Sequence, residues 1–168
     1  MTDPAVRKRL TGYVEHPRFD ETDLQILRHL QEDGRVSNAE LARRVGMSPP
    51  SVLQRVRRLE DQGFIRRYTA VLDHQRMGFS LIVIAMVSLA LHQEQPIEQF
   101  RKSAVQFPEV IECLHVSGDF DFMLKIVVTD MHAYERFVRE KLSAIKGVGK
   151  IHSCFVLGSN KVTTALPI

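Results

Sequence analysis

Tryptophan is absent from the 168 residues, tyrosine occurs three times and cysteine only twice, at Cys113 and Cys154. Two cysteines make no disulfide framework of the kind that holds small secreted domains together. Long apolar runs are missing as well. The longest, residues 81–91, is interrupted by Ser88 and falls well short of the roughly 20 residues that a helix needs to cross a bilayer. The segment Met1-Thr2-Asp3-Pro4 opens on polar residues, unlike a secretory signal. The expectation is therefore a reduced, cytoplasmic protein with no membrane partner. At 44% apolar and 26% charged residues, the chain suits one or two compact globular domains.

Catalytic signatures are also lacking. There is no G-x-S-x-G, P-loop or H-E-x-x-H. Gly147-Val148-Gly149 has neither the third glycine nor the following helix of a dinucleotide fingerprint and reads as a turn after a helix. Asp119 and Asp121 are close together, but in a turn, where carboxylates usually cap backbone N–H groups. No catalytic residue, enzymatic activity or cofactor is expected.

What is present is basic charge in one place. Residues 1–72 hold 13 Lys/Arg against 10 Asp/Glu, whereas the remainder balances at ten of each. Within 43–67 the basic residues are Arg43, Arg44, Arg55, Arg57, Arg58, Arg66 and Arg67, opposed by Glu60 and Asp61. An all-arginine excess of this kind suits a polyanion.

Three helices are predicted under that charge. The first covers 21–33, with Asp20 as N-cap, Leu24, Leu27 and Leu30 as an inward stripe, and Gly34 as its stop. The second opens on Ser37-Asn38-Ala39-Glu40, the pattern of a capping box, and stops at Gly46. The third has Ser48 as N-cap and Pro49 at the first helical position, where a missing N–H costs nothing, and runs to Gln62 before Gly63. Two short capped helices joined by a glycine turn make a helix-turn-helix.

At about 100° per residue, Val52, Leu53, Val56 and Leu59 share the inward arc of the third helix. Ser51, Gln54, Arg55 and Arg58 share the outward arc. Arginine pairs with guanine through two donors, glutamine with adenine, serine with either, so these four are the expected base readers of double-stranded DNA. Ser37, Arg43, Ser48 and Arg57 are expected on phosphates, as are Arg66 and Arg67, which follow Gly63 where a wing would lie.

The periodicity changes after residue 78. A strand over 79–92, a helix over 97–107, strands over 110–116 and 122–129, a helix over 131–145 with Asp130 as N-cap, and a strand over 151–157 give the order βαββαβ. The predicted class is α+β: an N-terminal winged helix-turn-helix followed by a ferredoxin-like domain, an antiparallel sheet with two helices on one face. The first strand is apolar at both phases, with Ile82, Ile84 and Met86 on one and Leu81, Val83, Val87 and Leu89 on the other. Two helices cover one face only, so the second face is expected to meet another copy in a two-fold dimer. The expected division is an arm over 1–18, the helix-turn-helix over 19–65, a linker strand over 66–78 and the second domain over 79–168.

An ordered set of motifs runs along the chain: Asp20-x-x-Asp23-x-x-Ile26-Leu27, Asp33-Gly34-Arg35-x-Ser37-Asn38, Glu40-Leu41-Ala42, Gly46-x-Ser48-Pro49, Arg55-Val56-Arg57-Arg58-Leu59-Glu60, Gly63-x-Ile65, Tyr68-Thr69-Ala70 and Gly118-Asp119-Phe120-Asp121. Together these resemble the leucine-responsive regulatory protein/AsnC family of bacterial and archaeal transcriptional regulators, its leucine-responsive members most of all. The resemblance implies a homodimer that builds larger rings, octamers among them. It also implies an amino acid or related metabolite bound in the C-terminal domain, between subunits. By that resemblance the effector site draws on His115, Gly118, Asp119, Asp121 and Met131, with Cys154 and Phe155 from the last strand.

A metal site is the alternative reading of two of these residues, His115 and Cys154, with two neighbours. Cys113-x-His115 and His152-x-Cys154 each put two ligand types on one strand face. In the ferredoxin-like order these strands lie at opposite edges, so the pairs meet only across two subunits, and no metal is expected.

Overall fold

The computed structural model describes residues 20–90 and 94–168. The arm expected over 1–18, with its basic cluster Arg7-Lys8-Arg9, lies outside the described residues. The chain divides into two compact units, one reaching Val71 and including Lys161–Ile168, the other spanning Leu72–Asn160.

The first unit contains α1 (Glu21–Glu32), α2 (Asn38–Val45) and α3 (Pro49–Asp61). Their starts follow the caps: Asp20, Ser37 and Ser48 each accept a backbone N–H three residues on. The reciprocal capping box, however, closes at Asp20 and Asp23, not at Ser37 and Glu40. Glu40 turns to Arg43 and Arg44 at 2.7 and 2.8 Å, because two guanidinium groups attract a carboxylate more strongly than one neutral N–H does. Ile26, Leu41, Ala42, Val52, Val56 and Leu59 form the core. Leu53, expected among them, is only half-buried at the edge of the inward arc.

Gly46 ends α2 in the left-handed conformation (φ 68°). The first helix ends just before Gly34, as expected, and this glycine also lies close to a distant ring. A Cβ at that position would lie 3.3 Å from the ring of Tyr68, whose hydroxyl donates to Glu60 at 3.0 Å. Burial, and then this carboxylate, push the Tyr68 phenol up to about 12.

Two expected boundaries need correction. The linker forms no strand: residues 66–73 have no regular secondary structure and 74–78 form a turn. A β-prone sequence becomes a strand only where a neighbouring edge offers a ladder. The C-terminal residues, assigned above to the second domain, instead pack on α1. The Gln31 amide donates to the Leu166 carbonyl and accepts from its N–H, and Arg28 Nε donates to the Ile168 carbonyl at 2.7 Å. A side-chain amide carries the same donor and acceptor as a backbone peptide and so pairs with one.

The second unit runs β1 (Leu81–Leu89), α4 (Glu94–Ala104), β2 (Val110–His115), β3 (Phe122–Val128), α5 (Met131–Phe137) and β4 (Val148–Phe155). The sheet is antiparallel, in the order β2-β3-β1-β4. The helix expected over 131–145 changes at Val138 into a π-turn, Val138–Leu142. The wider turn keeps Tyr134, Phe137 and Leu142 buried together although the last interval is five residues.

Val83, Ala85, Val87 and Leu89 of β1 are buried with Phe122, Leu124 and Ile126 of β3 and with Phe100, Phe137 and Leu142. The other face is open. Across it Met86 lies beside Met123, which lies beside Leu114, while Ile82 lies beside Val127. Ile82, Ile84, Met86, Met123 and Val127 are all only half-buried.

Candidate nucleic-acid interface and effector site

Helical periodicity carries Ser51, Gln54, Arg55 and Arg58 to one side of α3. There, with Met47, they line a shallow concavity of about 390 Å³. Gln54 is exposed and has no protein hydrogen-bond partner among the described residues, and the same holds for Arg57, Arg66 and Arg67. Ser51 shares a hydrogen bond with the hydroxyl of Ser48 at 2.8 Å. Ser37 and Ser48 are occupied as caps, and Arg43 grips both oxygens of Glu40. The two guanidinium groups hold Glu40 down at about 2, Arg43 foremost.

Arg55 and Arg58 are not free in this way. Arg55 donates through Nη1 to both oxygens of Asp20 at 2.9 and 2.8 Å and to Asp23 Oδ1 at 2.8 Å. Arg58 donates through Nη2 to Asp23 Oδ2 at 2.5 Å. Asp23 is fully buried, while Asp20 is exposed. Its backbone bond from Asp23, followed by Arg55, lowers the Asp20 carboxyl below its ordinary range.

Neither carboxylate was assigned to the interface from sequence, although a signal exists. Asp23, Leu27 and Leu30 fall at i, i+4 and i+7, so a carboxylate stands on an otherwise apolar helix stripe. A charge on such a stripe needs a cationic partner.

The seven residues implied for the effector do not come together in one chain. His115 pairs across the sheet with Phe122 and stacks on its ring at 5.0 Å. Gly118, Asp119 and Asp121 belong to the turn that follows. There Asp121 accepts the Leu89 N–H at 2.7 Å, and the Asp119 carbonyl accepts the Ser88 hydroxyl. This group therefore sits at the end of β1 that carries Val87 and Leu89.

Cys154 and Phe155 lie opposite Ile84 and Val83, roughly 13 Å back along β1 at about 3.3 Å per residue. Met131 begins α5 just after β3 leaves the Leu81 end of β1. Cys154 and Phe155 also point to opposite faces: Phe155 packs edge-on against Tyr134 on the helix side, and Cys154 stands exposed on the open side.

The two candidate metal pairs sit on β2 and β4, the opposite edges of the sheet. Cys113 lies on the helix side, where burial raises its thiol pKa, whereas His152 and Cys154 lie on the open side with Met86 and Ile84. No group of three potential metal ligands occurs among the described residues. No helix there is long and apolar enough to cross a membrane.

Comparison with known proteins divides the chain at the same linker, although the second match takes in part of the C-terminal segment that packs on α1. Residues 19–66 match the winged helix-turn-helix DNA-binding model and residues 82–166 the Lrp/AsnC ligand binding domain. The leucine-responsive regulatory protein of Escherichia coli (strain K12) is 43% identical over 150 residues, 89% of this chain and 92% of that protein. A transcriptional regulator from Neisseria meningitidis, solved as an L-Met complex, is 39% identical with a TM-score of 0.85, covering 89% of this chain and 96% of that one. An AsnC family transcriptional regulator from Agrobacterium tumefaciens is 35% identical with a TM-score of 0.84, covering 89% and 97%. These relatives are regulators rather than enzymes. Helix-turn-helix, ferredoxin-like domain and relatives agree: the chain belongs to the Lrp/AsnC family of DNA-binding transcriptional regulators, with a C-terminal ligand-binding domain.

Proposed function

We propose that this cytoplasmic regulator reads its operator with Ser51, Gln54, Arg55 and Arg58 in the major groove. Ser37, Arg43, Ser48, Arg57, Arg66 and Arg67 rest on flanking phosphates. The observation that carries this reading is the grouping of the four reader side chains around one concavity of α3, with three flanking arginines and Gln54 unpartnered among the described residues. Arginines on phosphate raise affinity by releasing counterions, while the reader side chains choose the sequence. Arg55→Ala is expected to weaken the cognate site about tenfold or more and to leave random DNA within about twofold. Equal loss on both, in a fluorescence-anisotropy titration, rejects the reading role.

The open sheet face is the proposed two-fold contact between copies. Its half-buried Ile82, Ile84, Met86, Met123 and Val127 form a largely apolar patch, with Lys125 opposite Ile84, the kind of surface that soluble chains cover by association. A dimer also supplies the pair of recognition helices that successive major-groove half-sites, about 34 Å apart, call for. Dimers are proposed to assemble further, up to an octamer.

The effector is proposed to be an amino acid or a close relative of one, a reading supported by the L-Met complex of the Neisseria meningitidis regulator. His115, Gly118, Asp119 and Asp121 from one copy would meet Met131, Cys154 and Phe155 from another, since one chain holds the two groups apart. A thermal-shift screen over the twenty amino acids tests this: a ligand of the native state raises the melting temperature, and no response to any of them rejects an amino-acid effector.

A further inference from the structure

Arg55 offers DNA less than a whole guanidinium. All three of its hydrogen bonds leave from Nη1, two to Asp20 and one to Asp23. Its Nε and Nη2 donors, which form the side-on fork that pairs with a guanine edge, are uncommitted among the described residues. The two anchoring carboxylates differ in kind. The Asp20 side chain is 55% exposed, so water and ions compete for it, whereas that of Asp23 is 1% exposed and takes one arginine on each oxygen.

A buried carboxylate that accepts from both arginines removes rotamer freedom from two long side chains before DNA arrives. It also stands 32 and 35 residues from them in sequence, on a different helix. The anchor therefore reports the packing of α1 against α3 directly to the reading side chains.

We propose that Asp23 is a positioning residue for base readout: its buried carboxylate holds Arg55 and Arg58 against α1 and turns the free Nε–Nη2 edge of Arg55 toward the groove. This rests on the reading of Arg55 as a base-contacting residue. Asp20 is the dispensable partner. It caps α1 and adds an exposed ion pair, but leaves the fork orientation to Asp23.

The test compares four variants of the full chain, D23N, D20S, R55A and D23N/R55A. Each is titrated against the cognate site, the site with its Arg55-contacted base pair changed, and random DNA. D23N is expected to lose about tenfold of discrimination at that base pair while its affinity for random DNA stays within about twofold. D20S, in which serine still caps the helix, retains wild-type discrimination. In the R55A background D23N costs no further discrimination at that base pair, because the carboxylate acts on it through Arg55.

Wild-type discrimination in D23N overturns the inference, as does equal loss on every sequence. A selective R55A with a non-selective D23N removes the positioning role alone, whereas a non-selective R55A removes the base-reading role on which it rests. If D23N does not fold, D23E carries the test: it keeps the charge and moves the oxygens outward by one methylene. Lost discrimination with unchanged random-DNA affinity then supports the inference, and wild-type discrimination overturns it.

Discussion

The two units of this chain build their sites in opposite ways. In the DNA-binding unit, the groups that hold three of the four proposed base readers come from the same chain. Asp23 holds Arg55 and Arg58, with Asp20 as a second, exposed partner of Arg55, and Ser48 holds Ser51. In the ligand-binding unit the residues assigned to the effector divide between two ends and two faces of one sheet. A unit that meets a rigid duplex gains by fixing its side chains beforehand, since ordering them on binding costs affinity. An effector pocket completed by association, as proposed for the ligand-binding unit, would let ligand and assembly influence one another.

The largest effect that would break this contrast lies on the open sheet face. Met123→Asp sets a carboxylate between Met86 and Leu114 on the apolar patch and is expected to weaken dimerisation about a hundredfold or more, because a buried unpaired charge is costly. Sedimentation velocity reads the outcome, and an unchanged dimer would mean that the copies meet elsewhere.

The next effect is confined to the DNA-binding unit. Leu59→Ala removes a fully buried side chain and should cost about 2–5 kcal/mol. Urea denaturation of that unit should show the same loss at every protein concentration, as befits a core made by one chain.

Smaller changes separate scaffold from contact in the Gly118–Asp121 turn. Asp121→Ala leaves the buried Leu89 without its side-chain acceptor and should destabilise the ligand-binding unit by about 1–3 kcal/mol. Asp119 is exposed and engages Ser88 through its carbonyl. Asp119→Asn should therefore leave the melting temperature unchanged in the absence of effector and reduce the shift that the effector produces.

The smallest effect is electrostatic. Glu40 titrates at about 2 in the folded chain, below the ordinary value of about 4.3. Because its folded pKa is depressed, its contribution to stability is complete above the ordinary value and disappears as pH falls toward 2. Glu40→Gln should abolish that part of the pH dependence in denaturant midpoints, and added salt should shrink it, since the group is exposed to solvent screening.

The features legible in sequence are those set by neighbours a few residues away. Ser37, Ser48 and Asp130 cap the helices they were expected to cap. The alternation of Val83, Ala85 and Val87 against Ile82, Ile84 and Met86 marks two apolar faces before any sheet is seen. Features that depended on a distant partner were misread. The linker over 66–78 has β-prone residues but pairs with no strand among the described residues. Residues 161–168 pack on α1, more than a hundred positions away. The change from α to π at Val138 follows from packing Leu142 into the core, which no helical period announces.

The recognition helix shows where that boundary falls. Sequence by itself determines that Ser51, Gln54, Arg55 and Arg58 share one face, because 100° of rotation per residue is a local property of the backbone. It also determines that Val52, Val56 and Leu59 face inward, by the same rotation. Only the tertiary structure decides that two of the four readers are held by Asp23, since that requires α1 to pack beside α3 with a carboxylate aimed between them. Coulomb attraction selects the partner, but folding brings it within 3 Å.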